Sequence, residues 1–69
     1  MDIKKVINIE GMSCSHCVKA VTDAVKPLKG VKSVEVSLEK KQADVEYDDT
    51  LLSLETIKAA IEDQGYDVV

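Results

Sequence analysis

Apolar and polar positions alternate along the chain in short regular periods. Ile7 and Ile9 alternate with Val6, Asn8 and Glu10, the period of two that marks a strand with one face buried, and Lys4 and Lys5 stand at its exposed start. This strand is expected to run to about Glu10. From Cys17 the spacing changes: Val21, Ala24, Val25 and Leu28 fall on one helical stripe, with Lys19, Thr22, Asp23 and Lys26 between them. Ser15 offers a hydroxyl for the free N–H groups of the first turn, Pro27 pushes Lys26 out of helical geometry, and Gly30 lets the chain turn away.

Alternation then returns twice. Val34, Val36 and Leu38 alternate with Ser33, Glu35, Ser37 and Glu39, and Ala43, Val45 and Tyr47 do so against Gln42, Asp44 and Glu46, with Lys40 and Lys41 as the polar turn between. Asp48-Asp49-Thr50 breaks the pattern. Ser53 is placed to cap a second helix whose apolar face is Leu54, Ile57 and Ile61, and Leu52 and Ile57 have the spacing of a hydrophobic staple. Gly65 suits the left-handed residue that closes a helix, and the stretch from Tyr66 to Val69 is long enough only for an edge strand.

Strand, helix, strand, strand, helix, strand is the split βαβ order, so the expected fold is an α+β, ferredoxin-like βαββαβ sandwich with two helices on one face of a four-stranded antiparallel sheet. A length of 69 residues leaves room for one domain spanning 1–69, with a thin core formed by Ile7, Ile9, Val21, Val34, Val36, Val45, Leu54, Ile57 and Ile61. No apolar run approaches the ~20 residues that span a bilayer, so a soluble cytoplasmic protein without membrane insertion is expected. The net charge of −4 and the absence of Trp and Phe argue against nucleic acid.

That charge is uneven. Residues 1–34 hold six lysines and three acids, a balance of +3, and residues 35–69 hold three lysines and ten acids, a balance of −7. The two cysteines lie in the basic part. Either the two balances are ordinary solvated faces, or they steer a charged protein partner.

The chemistry sits in Gly11-Met12-Ser13-Cys14-Ser15-His16-Cys17. A turn entering a helix brings Cys14 and Cys17 to one side of the backbone, and two cysteines so close in sequence cannot staple distant parts of a fold. The positive end of the helix favours thiolates, Cys17 above all. Two soft thiolates without two further strong ligands suit monovalent copper, which accepts low coordination, better than four-coordinate zinc.

With these residues in view, the loop resembles the metal loop of the heavy-metal-associated domain family, and the whole chain resembles its bacterial cytosolic copper chaperones, the Gly30-Val31 step and the Gly65-Tyr66 pair included. The resemblance implies a non-enzymatic carrier that binds one Cu(I) between Cys14 and Cys17 and hands it to the like-folded domains of copper-transporting P-type ATPases. Relatives specialised for zinc or cadmium commonly have an acid where this chain has Ser13, which favours copper.

Met12 reads as a core plug under the loop rather than a thioether ligand, and His16 as a solvent-facing neighbour that tunes the pair rather than a third ligand. Tyr66 is either a plain core aromatic or, by the resemblance, a residue packed beside the metal loop. Cys14, on the turn, is expected to yield its bond first in a transfer, with Cys17 anchored on the helix. A weak homodimer bridged by copper is expected as well.

Two rivals keep the same ligands or spacing. An excised metal-binding domain of a copper ATPase, or a mercury-binding relative, shares fold and cysteines; Met1 directly before the first strand and the chain end after the fourth favour a free-standing protein. A small thiol–disulfide redox protein would need a longer scaffold and lacks the proline and tryptophan of that motif.

Overall fold

The computed structural model describes residues 2–69, so Met1, which the pattern sets before the first strand, lies outside the described residues. The elements follow the expected order: β1 (Asp2–Glu10), α1 (Ser15–Val25), β2 (Val31–Ser37), β3 (Gln42–Asp48), α2 (Leu54–Asp63) and β4 (Asp67–Val68). The sheet order is β2-β3-β1-β4, and each neighbouring pair is antiparallel. β1 and β2 therefore run in the same direction with β3 between them, which is the split βαβ arrangement.

The period-two pattern decides which side of the sheet the helices cover. Ile7 pairs with Ala43 and Ile3 with Tyr47 in one register, and Val34 and Val36 pair with Val45 and Ala43 in the next, so one sheet face is mostly apolar across three strands, with the exposed Lys5 opposite Val45 as the exception. Onto it α1 brings Val21 and Val25, and α2 brings Ile57 and Ile61, all fully buried with Ile7, Ile9, Ala43, Val45 and Tyr47. Burying an aliphatic side chain of this size contributes about 1.5–3 kcal/mol. Val34, Val36 and Leu54, expected in the core, are only half-buried and pack against its rim. β2 is an edge strand and Leu54 stands in the first turn of α2, so each lacks a neighbour on one side.

Three expectations on boundaries are corrected. α1 is capped by the extended backbone of Cys14, with no side-chain cap bond, and Ser15 is its first helical residue. The glycine turn delivers Cys14 already extended, which takes the cap position from the serine. Leu28 lies beyond the end of α1, in a turn whose N–H reaches the Val25 carbonyl at 3.1 Å, because Pro27 stops the helix. Leu38 leaves β2 and starts the hairpin turn, where Lys41 takes a left-handed φ of 55°.

Other signals hold as read. The Ser53 hydroxyl accepts from the Thr56 N–H at 3.3 Å, and Gly65 closes α2 at φ 97°. The Val69 N–H donates to the Asn8 carbonyl at 3.0 Å beside the two-residue edge strand β4. Among the described residues no helix is long and apolar enough to cross a membrane.

Candidate metal centre

The loop 11–14 leaves β1 at one end of the sheet and feeds directly into α1. Gly11 makes that turn possible: its φ is 99°, and a Cβ there would touch the Tyr66 ring at 3.6 Å. Met12 then drops its side chain into the core, 7% exposed, which pins the loop from below. The expected core plug is thus what the fold contains.

With Met12 anchored, Ser13 and Cys14 are held outside and α1 starts. The Cys14 carbonyl accepts the Cys17 N–H at 3.0 Å and the Val18 N–H at 3.4 Å, closing the first turn. That turn folds Cys17 back over the loop, and the two sulfurs come within 3.9 Å of each other. Both thiols are free; Cys14 is exposed and Cys17 half-buried.

The two sulfurs are not equivalent. The Ser13 backbone N–H, the Tyr66 hydroxyl, the Cys14 backbone N–H and the Ser13 hydroxyl all donate to Cys17, and together they outweigh its partial burial and draw its thiol down to about 6. Cys17 stands three residues past the cap, where a glutamate often reaches back to the cap N–H, and its sulfur takes that role here. The lowering expected for Cys17 at the helix start is thus accompanied by hydrogen bonds from the loop and from Tyr66. Tyr66 is pushed the other way: donating to Cys17 raises its phenol, and partial burial adds to this. It also packs against the core, so both readings of Tyr66 apply at once.

Ser13 is the residue whose part the sequence reading did not contain. Its hydroxyl lies 3.9 Å from the Cys17 sulfur, and its backbone N–H is the strongest influence on that thiol. No sequence signal marks a backbone donor, because every residue but proline carries one. His16 is exposed on the first turn of α1. Among the described residues no group of three His, Cys, Asp or Glu side chains converges as a metal site. What the loop presents is two sulfurs and a ring of donors.

Comparison with known proteins bears on this geometry. The heavy-metal-associated domain family matches residues 6–67, strand β1 to strand β4. The chain belongs to that family. Among its bacterial relatives, a copper chaperone CopZ of Staphylococcus haemolyticus is 59% identical over 66 residues, covering 96% of this chain and 97% of the relative. A solved CopZ metallochaperone superposes with a TM-score of 0.95 at 49% identity, over 97% of this chain and 100% of its own. A copper-binding domain from the P-type ATPase HMA7 superposes at 0.94 with 35% identity, over 100% of this chain and 92% of its own. Chaperone-type and ATPase-type members of the heavy-metal-associated family thus share this βαββαβ frame.

Proposed function

We propose that this protein is a cytoplasmic copper chaperone that carries one Cu(I) between Cys14 and Cys17 and delivers it, by exchange of thiolates, to the metal-binding domain of a copper-transporting P-type ATPase. The observation that carries the reading is the pair of sulfurs 3.9 Å apart on an outward-facing loop, with no third protein ligand among the described residues. Zinc would be left two ligands short, whereas a monovalent soft ion is satisfied by two thiolates. The names of the relatives support copper as the cargo, and the shared frame with an ATPase domain supports an acceptor of like shape. The protein moves an ion between sites and transforms no substrate.

Two thiolates that hold one ion from nearly opposite sides stand farther apart than the 3.9 Å between the sulfurs here. Binding therefore opens the pair slightly. Cys14, exposed on the turn, is the sulfur free to make that adjustment. A two-coordinate ion leaves room for an incoming thiolate, so a partner cysteine bonds to copper before either chaperone sulfur departs.

The order of departure follows from the donors. The hydrogen bonds that hold Cys17 remain when its bond to copper breaks, which makes it the better leaving thiolate; Cys14 then retains the ion. Chain position favours the opposite order, in which Cys14 on the turn yields first and Cys17 stays anchored on the helix; the donors to Cys17 favour its own departure instead. Two copies meeting at their exposed loops share copper in the same way, as a weak homodimer.

The test is a competition and a transfer. Purified reduced protein should hold Cu(I) against a chelator that strips zinc from it. Loaded protein mixed with a like-folded acceptor should pass copper on in the presence of a chelator too bulky to enter the docked pair. Interception of the copper, with transfer slowed to the rate of spontaneous release, would make the protein a buffer and not a carrier.

A further inference from the structure

β1 is flanked by strands of unequal length. On one side β3 pairs with it from Asp2 to Asn8, while on the other β4 pairs only with Ile9 and Glu10, and the Val69 N–H adds a bond to the Asn8 carbonyl at 3.0 Å. Successive residues of a strand direct their backbone groups to opposite edges. The Ile9 N–H donates to the Lys41 carbonyl at 2.8 Å, so Ile3, Lys5 and Ile7 turn their groups to β3, and Lys4, Val6 and Asn8 turn theirs to the β4 side. Asn8 meets Val69 there. Beside Lys4 and Val6 no strand lies on that side among the described residues, and the N–H and C=O of both stand open.

Side chains on both faces set the chemistry of this edge. Lys4 and Val6 lie on the bare face of the sheet, opposite Glu46 and Asp44, and Lys5 lies on the helix-covered face, opposite the buried Val45. Lys5 is nevertheless exposed and Ile3 only half-buried, so the helix layer stops short of the edge and leaves space for another strand. Val6 is 56% exposed, a β-branched side chain without a cover. Of the two lysines only Lys4 has an acid across the ladder.

We propose that the edge of β1 from Ile3 to Ile7 takes up an extended segment of a partner protein as an added antiparallel strand in line with β4, the segment carrying acids opposite Lys4 and Lys5 and apolar residues opposite Ile3, Val6 and Ile7. Main-chain bonds to Lys4 and Val6 supply the attachment, and the lysines choose the sequence. Lysines on an open edge keep neutral and basic strands away, and the same charge admits an acidic one. The antiparallel direction follows from β4, whose register sets the segment immediately beyond Val69. Exposed charge pairs contribute little each and are screened by salt, so the attachment is weak. Ile3 to Ile7 lie toward the end of β1 away from the cysteine loop, so a chain held this way keeps Cys14 and Cys17 free. The attachment is independent of the ion those cysteines carry.

The experiment is a titration of the reduced, isotope-labelled chain at low salt with the end-capped peptide Val-Val-Glu-Glu-Val, which runs antiparallel from Ile7 to Ile3, followed by chemical shift and amide exchange. The amides of Lys4 and Val6 should shift and gain about tenfold protection, and those of Lys40, Lys41 and the cysteine loop should not. N-methylation of the second or fourth peptide residue, whose N–H faces Val6 or Lys4, should weaken binding about tenfold, whereas N-methylation of the third, whose N–H faces away, should be tolerated. K4E/K5E should lose the peptide, and Val-Val-Lys-Lys-Val should bind that variant in its place. No binding at millimolar peptide, an equal effect of all three N-methyl groups, or unchanged affinity in K4E/K5E would overturn the docking edge. Protection of Lys4 and Val6 that rises with protein concentration in the absence of peptide would assign the edge to a second copy and overturn it as well. If circular dichroism shows that K4E/K5E does not fold, K4Q/K5Q replaces it, and retention of full affinity by that variant counts against the proposal equally; the N-methyl peptides act on the unaltered chain.

Discussion

The two ends of this molecule are built on different principles. At the far end, where α1 gives way to β2 and β3 gives way to α2, atoms are in close contact. A Cβ on Gly30 would stand 2.6 Å from Leu52 Cδ2 and 2.9 Å from Leu51 Cβ, the Gly30 carbonyl accepts the Asp48 N–H at 2.8 Å, and the Asp48 carboxylate takes both the backbone N–H and the hydroxyl of Thr50. At the metal end the only buried side chain of the loop is Met12, and the polar groups of Ser13, Cys14 and Tyr66 converge on one sulfur instead of on one another. One end holds the fold together and the other holds a charge in readiness. For the carrier proposed above, a ligand site gains from being thinly covered, since an incoming thiolate would need room.

The sharpest way to break that division is to change the thiols. Cys14→Ser and Cys17→Ser should each cost copper retention orders of magnitude in a chelator titration, while moving thermal unfolding of the apoprotein little. If Cys17 departs first, Cys17→Ser should accumulate a copper-bridged adduct with an acceptor domain, held by Cys14, and Cys14→Ser should not. Equal adduct from both variants would remove the inequality between the sulfurs. Unfolding of either apo variant at room temperature would place the fold's stability in the loop and erase the contrast between the ends.

A smaller effect is expected from glycine. Gly30→Ala combines a backbone at φ 101° with the two close contacts, and should destabilise by about 3 kcal/mol, a fall in Tm of roughly 10–20 °C, with copper affinity unchanged. Gly65→Ala meets a similar φ of 97° with nothing within 4 Å, and should cost about 1 kcal/mol. The difference between the two is the packing of the far end, measured directly by denaturant melts. Equal losses would mean that backbone conformation alone matters at both.

The smallest effect is a slope with pH. The Cys17 thiol is drawn down to about 6 in the folded chain, against about 8.5 for a free cysteine, so the folded state releases its proton first. A depressed value contributes stability that is complete above the unfolded value and is lost as pH falls through the folded one. Reduced apoprotein should therefore grow more stable from about pH 6 to about pH 9 in denaturant melts. Cys17→Ser should flatten that slope, and Tyr66→Phe, which removes one donor, should reduce it. At the far end Asp48, held well below the usual carboxylate range by Thr50, contributes stability above about pH 4 that fades in stronger acid. A slope near pH 7 that survives Cys17→Ser would assign it to some other group.

Much of this was legible in the order of residues. Alternation at Ile7 and Ile9, at Val34 and Val36, and at Ala43, Val45 and Tyr47, with helical stripes through Val21 and Ile57, determined the element order, the buried faces and hence the split βαβ frame, because burial of one face is what those periods encode. The spacing of Cys14 and Cys17 determined that two thiols would meet, since one helical turn brings them together in almost any such loop. What tertiary structure alone decided is the environment of each. Which sulfur is stabilised depends on where the Ser13 N–H and the Tyr66 hydroxyl come to rest, and Tyr66 is far away in the chain. The grouping of charge was likewise beyond a sum along the sequence. The basic first half and acidic second half do not survive folding as two faces: antiparallel strands send Lys29 and Lys32 to the far end and bring Lys40, Lys41, Glu62 and Asp67 to the cysteines. Period is a local property that each segment carries by itself, whereas proximity between charges depends on chain reversals, and those exist only once the sheet has closed.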